Sequence, residues 1–147
     1  MATFHVQVPS ALPAPEAWRR VLDLRRHDRL IPLTRITSGM VAADELGPGS
    51  CFVARTGLGP LGFDDRMVVD EITPPGDQEA GLARIRKEGR VVRGSIELRV
   101  TPLGAGSVVD WRQEIEVWGV PRALGWFTAR AGRAAYGLAL RRFLAHG

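Results

Sequence analysis

The sequence predicts a single α+β domain in which a curved antiparallel sheet of about seven strands wraps a long C-terminal helix, with two short helices after the first strand. Three observations carry this. An alternating run, TFHVQV, opens the chain at residues 3–8. Between Leu33 and Val117 short β-like runs are separated by turn clusters rich in Gly, Pro, Asp and Ser, and no helical stretch is available for parallel crossovers. From Pro121 to about Leu144 apolar residues recur at helical spacing instead. Such an order covers one sheet face with the terminal helix.

In the first strand Phe4, Val6 and Val8 lie on one side and Thr3, His5 and Gln7 on the other, and Pro9 ends it. Pro15 and Glu16 suit a first helical turn, and Trp18, Val21 and Leu22 share a face, which predicts a helix over residues 14–23. A second short helix is expected over Arg25 to Leu30, stopping before Pro32, because the residue preceding proline is pushed out of helical geometry. The runs LTRITS, CFVART, FDDRMVVDEI, AGLARIRKEG, RVVRGSIELRV and VVDWRQEIEV then read as an antiparallel meander. The run GLGPLG reads as a hairpin turn, since it lacks the Lys and Ser or Thr of a phosphate loop.

With 147 residues, 45% of them hydrophobic and 24% charged, one core and one domain spanning 1–147 are expected. No apolar run approaches the ~18–20 residues of a membrane-spanning helix, and MATFHVQVPS has no basic segment followed by an apolar one. Cys51 is the only cysteine and can form neither an internal disulfide nor a multi-cysteine metal site, so a cytoplasmic location is expected. His5, His27 and His146 are scattered, there is no GxSxG elbow, and neither a metal nor a cofactor is expected. The net charge is +4, yet Lys87 is the single lysine among 20 basic residues, a bias of composition. The 16 acids are interspersed through the first 116 residues, which argues against a nucleic-acid surface there. Beyond Val117 come Arg122, Arg130, Arg133, Arg141 and Arg142 with no acid, so the last helix is locally basic.

Several segments, taken in order, resemble a known group. They are the strand TFHVQVP, the helix PEAWRRVLDL followed by RRHDRLIP, the turn ELGPGSCF, the pair FDDRMVVDEITPP and ARIRKEG, the strands GSIELRVTPLGAGSVVDWRQEIEV, and the Pro-led terminal helix. This set is similar to the START-related superfamily of SRPBCC-type ligand-binding proteins and polyketide cyclases or dehydratases, over essentially all 147 residues. The resemblance implies a helix-grip fold with a cavity between sheet and terminal helix. Because the superfamily hosts lipid and hormone carriers as well as cyclases and hydrolytic components, it implies a cavity more strongly than a reaction. The polar pocket set of its cyclising members has no residue-by-residue match here.

Strand parity nominates the cavity walls. Val109, Trp111, Gln113, Ile115 and Val117 should face inward, Val92, Gly94, Ile96, Leu98 and Val100 form an apolar register, and in FDDRMVVDEI the residues Phe63, Asp65, Met67 and Val69 form one register and Asp64, Arg66, Val68 and Asp70 the other. Gln113 is then a neutral polar group among apolar neighbours, suited to a ligand oxygen, a trapped water or a neighbouring side chain. If the Phe63 to Val69 register faces the cavity, Asp65 sits near its mouth, either as a general base desolvated by burial or paired with Arg84, Arg86 or Lys87 on the next strand. On the terminal helix the expected sheet-facing stripe is Leu124, Phe127, Thr128, Ala131, Ala134, Ala135 and Leu138, small at its centre. Small residues there either let the helix approach the sheet or leave a void, and the resemblance favours the void. Trp126, Leu140, Phe143 and Leu144 fall off that stripe near Arg130, Arg133 and Tyr136, as a dimer contact, a surface for an acidic partner or membrane, or packing against the early helices.

The expected function is binding of a small hydrophobic or amphipathic molecule, a lipid, polyketide or aromatic metabolite. Met67, Val69, Ile96, Leu98, Trp111, Ile115, Leu124, Phe127 and Ala131 would form the wall and Gln113 the polar anchor. The alternative is a cofactor-independent cyclase or dehydratase in which Asp65 or Gln113 moves a proton. A third reading is an interaction module acting through the Arg-rich helix on anionic lipid or ribosomal RNA.

Overall fold

The computed structural model describes residues 2–26, 34–39, 41–58, 61–119 and 121–145. The strands are β1 (Ala2–Ser10), β2 (Thr34–Ser38), β3 (Cys51–Leu58), β4 (Leu61–Thr73), β5 (Gly81–Glu88), β6 (Val92–Leu103) and β7 (Gly106–Val117). The helices are α1 (Ala14–Leu22) and α2 (Gly125–Ala145), with single 3-10 turns at Leu24–Arg26, Ala43–Glu45 and Arg122–Leu124. The second short helix expected from Arg25 lies, beyond the turn at Leu24–Arg26, outside the described residues.

All seven strands form one antiparallel sheet in the order β1-β7-β6-β5-β4-β3-β2. The chain meanders from β2 to β7, while β1 pairs with β7 along Ala2 to Ser10, so β1 and β2 form the two edges. Two devices help to bend the sheet. The β4/β5 register slips between Val69 and Glu71, and a bulge of this kind kinks the strand that carries it. In β6, Gly94 adopts φ +144°, and a Cβ there would collide with the Glu114 carbonyl oxygen of β7, so only glycine fits. This is a helix-grip sheet, as the resemblance implies.

The inward parity of β1 buries Phe4, Val6 and Val8, and α1 buries Ala14, Ala17, Trp18, Val21 and Leu22 against the sheet. Pro15 and Glu16 occupy the first turn of α1, where a missing N–H costs nothing and a carboxylate suits the positive end of the helix dipole. The long helix packs mainly on β1. Gly132 permits this, since a Cβ there would lie 2.5 Å from the Phe4 ring. At its far end α2 is tied to α1 by the Arg20 guanidinium, which donates to the Leu144 carbonyl at 3.1 Å.

The rotation of α2 about its axis differs from the expected one. Gly137, Ala139, Leu140 and Phe143 are buried and Tyr136 is half-buried, whereas Leu124, Phe127, Ala131 and Ala134 face out. The stripe expected to meet the sheet is therefore mostly on the outer face, and Leu140 and Phe143, expected off the stripe, belong to the core. Apolar residues occur all round this helix, so spacing alone does not single out a face; the close approach at Gly132 does. No helix among the described residues is long and apolar enough to cross a membrane.

Candidate functional site

A cavity of about 460 Å³ lies between the sheet and the two helices. Val21 and Leu22 of α1 and Leu24 bound it on one side. The sheet supplies Phe52, Ala54 and Thr56 from β3, Phe63, Asp65 and Met67 from β4, and Ile85 and Lys87 from β5. Farther along come Val92 and Ile96 of β6 and Trp111 and Ile115 of β7. Ala135, Tyr136, Leu138, Ala139, Leu140, Arg142 and Phe143 of α2 complete it. The walls are apolar apart from Thr56, Arg142 and one cluster, Asp65, Lys87 and Tyr136. Ala135 and Leu138 are exposed, so the cavity opens along that edge of α2.

The polar cluster follows from strand parity. In GLARIRKE the residues Ala83, Ile85 and Lys87 point inward while Arg84, Arg86 and Glu88 point out. Lys87 stands opposite Met67 of β4, which places Asp65 on the diagonal, within reach of a long side chain. The Lys87 Nζ donates to Asp65 Oδ2 and, at 3.3 Å, to the Tyr136 hydroxyl. Only 1% of the Lys87 side chain and 11% of the Asp65 side chain are accessible to solvent. Burial by itself pushes the Lys87 ammonium toward neutrality. Tyr136 and the Asp65 carboxylate, which attract the ammonium and accept its hydrogen bonds, outweigh that and hold its pKa above the ordinary lysine value. The amine is thus a cation at neutral pH. Asp65 Oδ1 is buried without a hydrogen-bond partner among the described residues.

Tyr136 is held by aromatic contacts, stacked on Trp111 with ring centroids 5.1 Å apart and tilted on Phe4 at 5.5 Å. The Trp111 Nε1 donates at 3.0 Å to Gln113 Oε1. Gln113 is wholly buried and is not part of the cavity wall, so it fixes the Trp111 indole from behind, and its Nε2 has no partner among the described residues.

Of the residues nominated from the sequence, Met67, Ile96, Trp111, Ile115 and Asp65 come together at the cavity. Val69 and Leu98 are buried in the closed core instead, and Leu124, Phe127 and Ala131 lie on the outer surface, because the walls depend on how α1 and α2 cover the sheet. The sequence nominates Lys87 only as one of three cations for Asp65, and Tyr136 not as a wall residue at all. A signal for Lys87 is present: it is the chain's single lysine, in the inward register of an Arg-rich strand. Tyr136 carries no comparable signal, because its position depends on the rotation of α2.

A curved antiparallel sheet gripping a terminal helix around a largely apolar cavity defines a helix-grip protein. The chain belongs to the family described as polyketide cyclase / dehydrase and lipid transport, whose sequence model matches residues 1–146. Among solved structures it is similar in fold to Ara h 8.0201, with TM-score 0.63, 14% identity and 98% of each chain covered. TTHA0849 from Thermus thermophilus has TM-score 0.68 at 12% identity, covering 97% of this chain and 94% of that one. The Zhui aromatase/cyclase from Streptomyces sp. R1128 has TM-score 0.62 at 14% identity, covering 97% of this chain and 91% of that one. No protein of curated function matches the chain.

Proposed function

We propose that the chain binds a small, neutral amphipathic molecule whose apolar body fills the cavity and whose hydroxyl or enol end meets Asp65 and Lys87. The carrying observation is the unpartnered Asp65 Oδ1 beside the Lys87 ammonium, at a cavity whose other walls are apolar apart from Thr56 and Arg142. Leaving a buried acceptor unmade costs about 1–3 kcal/mol, and a ligand hydroxyl that reaches Oδ1 through a small turn of the Asp65 side chain recovers it. An ammonium has three N–H groups, of which Asp65 and Tyr136 take two, so the third can donate to the same ligand oxygen or its neighbour. A ligand carboxylate would instead face the charge of Asp65. The volume, about 460 Å³, lies within the range of small-molecule sites.

The test uses 2-naphthol, naphthalene and 2-naphthoate as probes, followed by tryptophan quenching. 2-Naphthol is expected to bind tightest, and Ala139→Phe, which fills the cavity, to abolish its binding while the protein still melts cooperatively. Equal affinity for all three probes, or binding indifferent to Ala139→Phe, would refute the reading.

One observation favours a second reading, the cyclase or dehydratase chemistry that the family description includes. A carboxylate and an ammonium held side by side against an apolar void form an acid and base pair. An enolisable carbonyl placed there would have Lys87 donating toward its oxygen and the Asp65 carboxylate positioned to take the α-proton. Gln113, behind Trp111, is a positioning residue in either reading.

A further inference from the structure

We infer that the outer face of α2 docks on an anionic lipid bilayer and brings the cavity mouth to the membrane surface. Phe127, Ala131, Ala134 and Leu138 follow one another at intervals of four, three and four residues, which places them on one side of the helix. That side is open: Phe127 is 60% and Leu138 48% exposed, and Leu124, in the turn before the helix, is 45% exposed. Trp126 is 61% exposed, with its ring edge-on to Phe127 at 6.0 Å. Leu138 and Ala135 also line the cavity, so the apolar strip runs directly into the mouth.

Charge selects the occupant. Arg130, Arg133 and Arg141 on α2 reach solvent, the Arg130 guanidinium lies 6.0 Å from the Trp126 ring centroid, and no acid follows Glu116. A second copy packed face to face would set these cations against their equivalents with no carboxylate on the segment to offset them. An anionic bilayer supplies phosphates for the guanidiniums and an interfacial layer in which tryptophan and phenylalanine side chains are stable. The consequence is that an apolar ligand can pass between lipid and cavity without crossing water.

The experiment is co-sedimentation of the protein with phosphatidylcholine vesicles, with and without phosphatidylglycerol, at low and high salt. Binding is expected to be stronger by about tenfold or more on the anionic vesicles, since several arginines face that surface, and to weaken with salt. Trp126→Ser/Phe127→Ser and Arg130→Gln/Arg141→Gln alter solvent-facing positions. They should keep the melting temperature and 2-naphthol binding while losing vesicle binding, which separates this inference from the ligand reading. Absence of vesicle binding at low salt, or binding unchanged in both variants, would overturn it. So would a concentration-dependent dimer that Phe127→Ser dissociates, or a preference for an RNA oligonucleotide over vesicles.

Discussion

Lys87 and Asp65 meet along the diagonal of the β4/β5 pair, a complete ion pair set into an apolar wall with one carboxylate oxygen left over. Taking two charges out of water costs several kcal/mol per ion, and their attraction offsets this only when both partners are present. Lys87→Met is therefore expected to lose about 3–5 kcal/mol in urea unfolding, whereas Lys87→Met/Asp65→Leu should recover most of that loss. A double variant as unstable as the sum of its single variants would show that the pair is not coupled.

Tyr136 separates packing from hydrogen bonding. Tyr136→Phe keeps the stack on Trp111 but removes the acceptor for Lys87, and should cost about 1 kcal/mol or slightly more. Tyr136→Ala also leaves the Trp111 and Phe4 faces uncovered and should cost about 3–5 kcal/mol. Chemical denaturation of the two variants beside the parent measures both.

Gly94 tests the bend of the sheet. Gly94→Ala places a methyl group against the Glu114 carbonyl in a left-handed backbone region, with an expected loss of about 2 kcal/mol or more. Gly49, which also has positive φ but has open space around its Cβ position, should tolerate alanine better. Melting temperatures of the two variants beside the parent measure the difference.

The pH dependence at Lys87 has a definite sign. Its folded pKa is raised above the ordinary 10.5, so the folded state binds the proton more tightly than the unfolded chain does. The stability this contributes is fully present below the ordinary value and is lost as pH rises through the folded one. The advantage of the parent over Lys87→Met should stay level from neutral pH to about 10 and shrink at higher pH. Unfolding curves across that interval check it.

Glu16 has the opposite sign. Hydrogen bonds from Arg19 and Arg20 hold its carboxyl below its ordinary 4.5. The helix support it gives α1 is present above the ordinary value and is lost as pH falls through the folded one. Because the pair is exposed, the effect is small. Melting temperatures of the parent and Glu16→Gln should converge in acid.

Strand parity groups from the sequence alone the side chains of β1, β4, β6 and β7 that share a face, because successive side chains in a strand point to opposite faces. Asp65, Met67, Ile96, Trp111 and Ile115 are legible for that reason, and the alternation of turn clusters makes the antiparallel meander legible too. Tertiary packing decided the rest. Parity does not tell how far along a strand the cover extends, so Val69 and Leu98 share the faces of Met67 and Ile96 yet lie in closed core. Nor does spacing fix the rotation of a helix that is apolar all round. The contact of Gly132 with Phe4 turned Tyr136, Ala139 and Phe143 toward the sheet and Phe127 and Ala131 to the outside. That one rotation supplied the third member of the polar cluster, and it left an apolar face beside the cavity mouth.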